Sequence, residues 1–278
     1  MKKIMALFLA ALLGAGALAG CGTETVDNTD NTAADTSLED IKASGKIKLG
    51  LDADFAPMGF TDENGDIVGF DIDLANAAAE KMGLEIEAVP INWDSKSMEL
   101  SGKNIDVIWN GFSISDERKK EVLFTDPYLT TGQVIVVPVG SDIKAKADLA
   151  GKKVALQDGS TSEDALKADT ATYESIGEDN ISKFKENTLV LMEVEAGRAD
   201  AAVIDEIYVR YYLAKEGMTD KFTVLEEELS PEDYGVGCRL EDISFRDALN
   251  DAIQACIDDG TASKISEKWF GVDVYADK

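Results

Sequence analysis

"IDVIWNGFSISDERKK", residues 105 to 120, opens as a short apolar strand and runs through Asn110 and Gly111 into a polar loop that ends in three cations. It sets a glycine, two serines and a positive cluster together in a chain that is otherwise strongly negative. The whole sequence has 27 Lys plus Arg against 54 Asp plus Glu. Most of its cations therefore have carboxylates to sit beside, and the role of Arg118 is the question that the stretch raises. Around it, strand and helix signals alternate. "KIKLGLDA" (46 to 53) alternates as a strand. "DIDLANAAAEKMG" (71 to 83) puts Ile72, Ala75, Ala79 and Met82 on one helical face, with Asp71 as a cap and Gly83 as a stop. "LEIEAVPI" (84 to 91) and residues 105 to 109 read as further strands. A second set follows: "KKVALQ" (152 to 157), a helix from about Thr161, "ADAAVID" (199 to 205), and a helix from Glu206 to Lys215. "YGVGC" (234 to 238) closes as a strand, and Phe245, Leu249, Ala252, Ile253 and Cys256 line one face of a late helix. Repeated strand and helix predict α/β layers.

Composition bounds the function. A chain of 278 residues, 45% hydrophobic and 29% charged, can bury a full core and has the length of about two domains. A formal net charge of -27 repels phosphate backbones and anionic lipid heads, so no nucleic-acid partner is expected. There is no histidine, and the three cysteines are scattered without a paired zinc-binding spacing, so no metal centre or cofactor is expected. Carboxylates alone are still able to hold calcium.

The first residues read as an address. Lys2 and Lys3 precede an apolar run from Ile4 to Leu18, short for a membrane span, and small residues follow it. The run ends in Leu18-Ala19-Gly20-Cys21, which resembles the bacterial lipobox. That resemblance implies a signal peptide over 1 to 20, lipid on Cys21 and anchoring to the outer face of the cytoplasmic membrane. Residues 21 to 37, rich in Thr, Asn and Asp, read as a flexible tether.

"DADFAPMGF" (52 to 60), "GDIVGFDIDLA" (65 to 75), the opening stretch, "FTDPYL" (124 to 129), "GRADAAVID" (197 to 205) and "DGTASKISEKWFG" (259 to 271) are individually weak signals. Their order and spacing together resemble the extracellular solute-binding proteins of polar amino-acid ABC importers, of the type II periplasmic-binding-protein fold. The resemblance covers about Leu38 to Val274. It implies two α/β lobes joined by two hinge strands, with lobe 1 at residues 38 to 130 plus 232 to 278 and lobe 2 at 131 to 231. It also implies a monomer that captures an L-amino acid by lobe closure and docks on a membrane permease with its ATPase.

A free amino acid always shows a carboxylate and an ammonium, and an arginine fork meets both carboxylate oxygens. By the resemblance, Arg118 grips the ligand carboxylate while Gly111 and Ser113 supply backbone and hydroxyl contacts. The alternative is a surface pair of Arg118 with Asp116, Glu117 or Glu121, worth about 0 to 1 kcal/mol. Thr161 matches a second carboxylate donor, at a helix start whose free amides attract anions; Ser160 or Thr161 could equally be an ordinary N-cap. Asp205 matches the ammonium-binding acid, and capping of the next helix is compatible with that role. Around the ligand side chain stand Asp52, Asp54, Phe55, Trp93 and Gln157; either aromatic could also be core. Two acids beside aromatics favour a cationic or polar side chain such as arginine, lysine, histidine or glutamine.

Other uses of the same fold are dehydratases acting on cyclic carboxylic acids and sensing modules. Asp205 or Glu206 would be the acid or base of an enzyme, with no histidine to assist, and the chain is expected not to be one. A receptor-kinase sensor needs a membrane helix and an output domain, which a sequence running to Lys278 past Trp269-Phe270-Gly271 is not expected to carry. A non-transporting surface module stays open, as does a disulfide between Cys238 and Cys256, whose Cα separation the sequence does not supply.

Overall fold

The structure is a computed structural model that describes residues 35–276. The expected signal peptide, Cys21 and the tether as far as residue 34 lie outside the described residues. The folded part includes residues slightly before the expected start near Leu38. The Asp35 carboxylate accepts the Ser37 and Ser244 amides, and a helix starts at Ser37 rather than near Leu38.

Strands in chain order are β1 (Lys46–Leu51), β2 (Asp54–Phe55), β3 (Gly59–Thr61), β4 (Ile67–Val68), β5 (Glu85–Pro90), β6 (Val107–Ile108) and β7 (Leu123–Phe124). They continue as β8 (Leu129–Pro138), β9 (Val154–Gln157), β10 (Ile181–Phe184), β11 (Ala201–Asp205), β12 (Phe222–Tyr234) and β13 (Gly237–Cys238). One five-stranded sheet has the order β5-β1-β6-β13-β7, and another the order β10-β9-β11-β8-β12. β1 runs parallel to β5 and β6, and β9 runs parallel to β10 and β11. A small antiparallel sheet, β2-β3-β4, lies beside the first.

Alternation of side chains across each strand feeds two faces. In β8, Val134 and Val136 join the main core while Ile135 and Val137 join a second one; in β11, Ala202 and Ile204 divide from Ala201 and Val203 in the same way. Such strands are covered on both faces, which is why they read as unbroken apolar runs. Each fully buried large aliphatic contributes about 1.5–3 kcal/mol. A third cluster, with Trp93, Ile105, Ile108 and Phe112, packs under the opening stretch.

β8 and β12 cross between the two sheets. They pair antiparallel from Pro138 and Phe222 to Leu129 and Tyr234, with irregular register around Glu228. The expected single strand 234–238 is divided. Tyr234 ends β12, while Gly237 and Cys238 pair with β6 and β7 of the other sheet. The chain changes sheets at Gly235, where an added Cβ would meet Ile114 Cδ1 at 2.8 Å. A side chain at 235 would have to push the Ile114 side chain aside.

The helix Phe70–Met82 stops as expected at Gly83, whose left-handed φ of 72° lets its N–H reach the Ala79 and Glu80 carbonyls. Asp71 is not its cap. The cap position is Gly69, and Asp71 lies fully buried inside the first turn, where its Oδ2 accepts the Gly111 N–H at 2.7 Å. The late helix, Ile243–Asp258, buries Phe245, Leu249, Ala252, Ile253 and Cys256. Cys256 and Cys238 are both free buried thiols, which closes the disulfide alternative. Burial raises the pKa of each.

Candidate functional site

The opening stretch delivers its loop from the end of β6. Asn110 holds that loop against the first sheet: its Oδ1 accepts the Asp52 N–H at 3.0 Å and its Nδ2 donates to the Gly59 carbonyl at 3.2 Å. Gly111 has φ 56°, and a Cβ there would lie 2.6 Å from Phe55 Cε1 and 3.1 Å from the Tyr234 ring. Its N–H is taken by Asp71, so Gly111 offers close approach rather than a free amide donor. Ser113 is bridged to Tyr234 of β12, and its hydroxyl contacts Glu232.

Arg118 starts a short helical turn, Arg118–Lys120. Lys119 and Lys120 pair with Asp116 and Glu117, the carboxylates that a surface role would have used for Arg118. Among the described residues Arg118 forms no ion pair. Its Nη1 donates to the Ser113 carbonyl at 2.9 Å, and its guanidinium lies 4.6 Å from the Phe112 ring centre. Burial pulls its pKa down to about 10, so at neutral pH it is still a cation.

The facing groups come from the second sheet. β9 ends in Gln157, Gly159 turns with φ 66°, and the helix Thr161–Ala168 begins. Neither Ser160 nor Thr161 caps it. The Ser160 hydroxyl donates back to the Gln157 carbonyl at 2.7 Å, and the Thr161 hydroxyl donates to Glu232 Oε2 at 2.9 Å. Asp205 ends β11 and does cap: its Oδ1 accepts the Tyr208 N–H at 3.1 Å at the start of the helix Glu206–Lys215. Its Oδ2 accepts the Tyr234 hydroxyl, and the Thr131 hydroxyl at 3.4 Å. Burial, with a smaller contribution from the Glu232 charge, raises the Asp205 pKa to about 7.

The remaining wall mixes aromatic and amide groups. Phe55 stacks on Tyr208 with ring centres 5.3 Å apart, and Trp93 meets Phe112 edge-on at 5.7 Å. Both are core-packed and cavity-lining at once. Gln157 Nε2 donates across the cleft to Asp52 Oδ2 at 2.6 Å, and burial raises the Asp52 pKa to about 6. Lys96 adds a further tie between the halves, donating to the Gly159 carbonyl at 2.7 Å and the Trp93 carbonyl at 3.0 Å.

These groups line one small cavity. Asp52, Phe55, Trp93, Gly111 and Ser113 line it from the first half, together with Arg118; Gln157, Thr161 and Asp205 line it from the second. Asp54 does not. Its Oδ2 accepts the Thr188 hydroxyl at 2.9 Å, and it faces a neighbouring groove with Tyr208, Tyr211 and Tyr212. Successive side chains of an extended segment point to opposite sides, yet Asp52 and Asp54 separate because Asp52 lies in the turn before β2 and receives the Asp54 N–H at 3.1 Å. Sequence reasoning missed Asn110, Gln133, Ser160, Ser162 and Asn187 on the wall. Gln133 had a readable signal, being an amide at the head of the apolar run 134–137 of β8. Its Oε1 accepts the Ser162 hydroxyl at 2.6 Å. Asn187 had none; it reaches the site only by donating to Gln157 Oε1 at 3.0 Å.

A single fixed cation, paired hydroxyls and a buried acid on one small cavity suit a polar zwitterion. Comparison with known proteins points the same way. Residues 47–272 match the bacterial extracellular solute-binding proteins, family 3. The L-cystine-binding protein TcyJ of Escherichia coli strain K12 is 33% identical over 244 residues, 85% of this chain and 87% of its own length. The arginine-binding extracellular protein ArtP of Bacillus subtilis strain 168 is 32% identical over 272 residues, 97% of this chain and 98% of its own. The crystal structure of an ABC uptake transporter substrate-binding protein from Streptococcus pneumoniae with bound histidine superposes with a TM-score of 0.84. It is 35% identical, covering 87% of this chain and 99% of its own.

Proposed function

The chain belongs to the bacterial extracellular solute-binding proteins, family 3, and from that premise we propose that it captures a polar or cationic L-amino acid for an ABC importer. The observation that carries this reading is Arg118, a cation on the cavity wall that among the described residues has no carboxylate partner, with the acid Asp205 on the same wall. In this reading Arg118, Ser113 and Thr161 hold the ligand carboxylate and Asp205 holds its ammonium. Phe55, Trp93, Asp52 and Gln157 enclose its side chain. With Asp54 outside the cavity, one acid rather than two faces that side chain, so polar uncharged ligands fit as readily as cationic ones.

Residues 38–130 and 232–278 would form one lobe and 131–231 the other, with β8 and β12 as hinges. Ligand favours closure because only then do both halves touch it. No reaction is assigned to Asp205 or Glu206, and the protein acts as a monomer. The sequence around Cys21 supports lipid anchoring at the outer face of the membrane, which keeps the receptor beside its permease; mass spectrometry of Cys21 checks it. A thermal-shift screen of residues 22–278 against the common L-amino acids and L-cystine tests the binding role, since a ligand of the folded form raises its melting temperature. A flat response to every one of them rejects it.

A further inference from the structure

Glu232 lies on the crossing strand β12, half-buried and opposite Thr131 in register. One of its oxygens gathers three donors. Oε2 accepts the Ser113 hydroxyl at 2.5 Å, the Thr161 hydroxyl at 2.9 Å and Gln133 Nε2 at 3.2 Å. Ser113 belongs to the loop after β6, whereas Thr161 and Gln133 belong to the other half, so a single oxygen joins both.

A carboxylate only accepts, and a hydroxyl has one proton to give. Both hydroxyls therefore direct their protons at Glu232. The 3.2 Å contact between Ser113 Oγ and Thr161 Oγ1 has no proton left for it. Gln133 cannot relieve the arrangement, because its Oε1 is occupied by the Ser162 hydroxyl and its amide hydrogens also face Glu232 and, at 3.4 Å, Thr161. Ser113 and Thr161 are the two hydroxyls that the reading above assigns to the ligand carboxylate, and this inference rests on that reading. A ligand carboxylate reaching them meets lone pairs, with the Glu232 charge behind.

From this geometry we infer that Glu232 is an internal competitor for the carboxylate subsite, which sets ligand affinity by withholding the Ser113 and Thr161 protons. The ligand obtains those protons only when Glu232 gives them up. Arg118, which no hydroxyl restrains, is then the first contact, and the hydroxyls turn afterwards. Glu232→Gln removes the charge and presents an amide that can donate, so the hydroxyl protons are released toward the ligand.

The test is calorimetry of wild type and Glu232→Gln with the tightest binder among the twenty common L-amino acids and L-cystine, and with the α-carboxamide of that compound. The variant is expected to bind the amino acid at least about tenfold more tightly, the scale of one recovered hydrogen bond to a charged group. Its affinity for the carboxamide, which lacks the carboxylate, is expected to stay where the wild type has it. Unchanged or weaker amino-acid binding overturns the inference, and so does an equal gain for the carboxamide. Glu232→Asp keeps the charge but draws the oxygen back by one methylene; it too is expected to tighten binding, and it serves if the amide variant does not fold. Lack of binding by every form to all of these compounds removes the ligand reading and the role of Glu232 with it. Wild-type binding that Glu232→Gln leaves unaltered removes only the role.

Discussion

Arg118→Met separates a binding residue from a structural one, because the two roles predict opposite outcomes. Surroundings that lower the pKa of Arg118 from 12.5 to about 10 cost the protonated fold about 3 kcal/mol. Against that stand the bond to the Ser113 carbonyl, about 1.5–3 kcal/mol for a charged donor, and the Phe112 ring contact, about 0.5–2 kcal/mol. Methionine keeps the apolar stem and gives up all three effects. Gain and loss cancel to within about 2 kcal/mol, so without ligand the melting temperature should move by no more than about 5 °C. Binding has no such compensation. A ligand carboxylate left in the cavity without its counter-charge should lose about 2–5 kcal/mol, which is about 30-fold to several-thousand-fold in affinity. Scanning calorimetry and titration calorimetry on one preparation read both numbers. Retained affinity refutes the grip, and a fall of more than about 10 °C in melting temperature makes Arg118 a structural residue.

The remaining predictions follow from buried groups and close packing. Protonated Asp205, with a pKa of about 7, cannot offer a charge to an ammonium. Affinity should therefore rise with pH from 5 to about 7 and level off above, and Asp205→Asn should weaken binding and reduce that slope; a profile level from pH 5 to 8 counts against the assignment. The raised values of Asp52, Asp71 and Asp205 also mean that the folded chain keeps protons which the unfolded chain has released. Without ligand, stability should accordingly fall as pH rises from about 4 to 7. Burial, with repulsion from Arg118, lowers Lys96 from 10.5 to about 7, so here the folded chain holds fewer protons than the unfolded one. Stability should climb above pH 7 on this account; Lys96→Met should lose that climb, and parallel melting profiles for the two proteins would contradict it. Gly111→Ala combines left-handed strain with overlap on Phe55 and Tyr234 and should cost about 2–5 kcal/mol in urea unfolding. An unshifted midpoint would mean that the loop gives way easily.

Local patterns carried most of the architecture. Apolar runs such as 199–205, the stop at Gly83 and the stripe from Phe245 to Cys256 each report a preference set within a few residues, and the elements formed where those preferences lie. The order of the motifs carried the family, and with it nine residues that the fold gathers on one cavity.

Only tertiary structure decided the rest, because it turns on which groups separate stretches bring together. Asp54 reads like Asp52 but is drawn to Thr188, 134 positions away. Asp71 reads as a cap and instead lies beneath Gly111. Glu232 sits in an acidic stretch of β12 with no local mark of importance, yet its carboxylate meets hydroxyls from residues 113 and 161. The sequence by itself determined several of the strands and helices and the α/β class, since hydrophobic period and glycine conformation act over short range. Which acid faces a ligand, which serves a neighbour and which competes was decided by the close approach of two sheets, where a carboxylate goes to whichever donors packing leaves within about 3 Å.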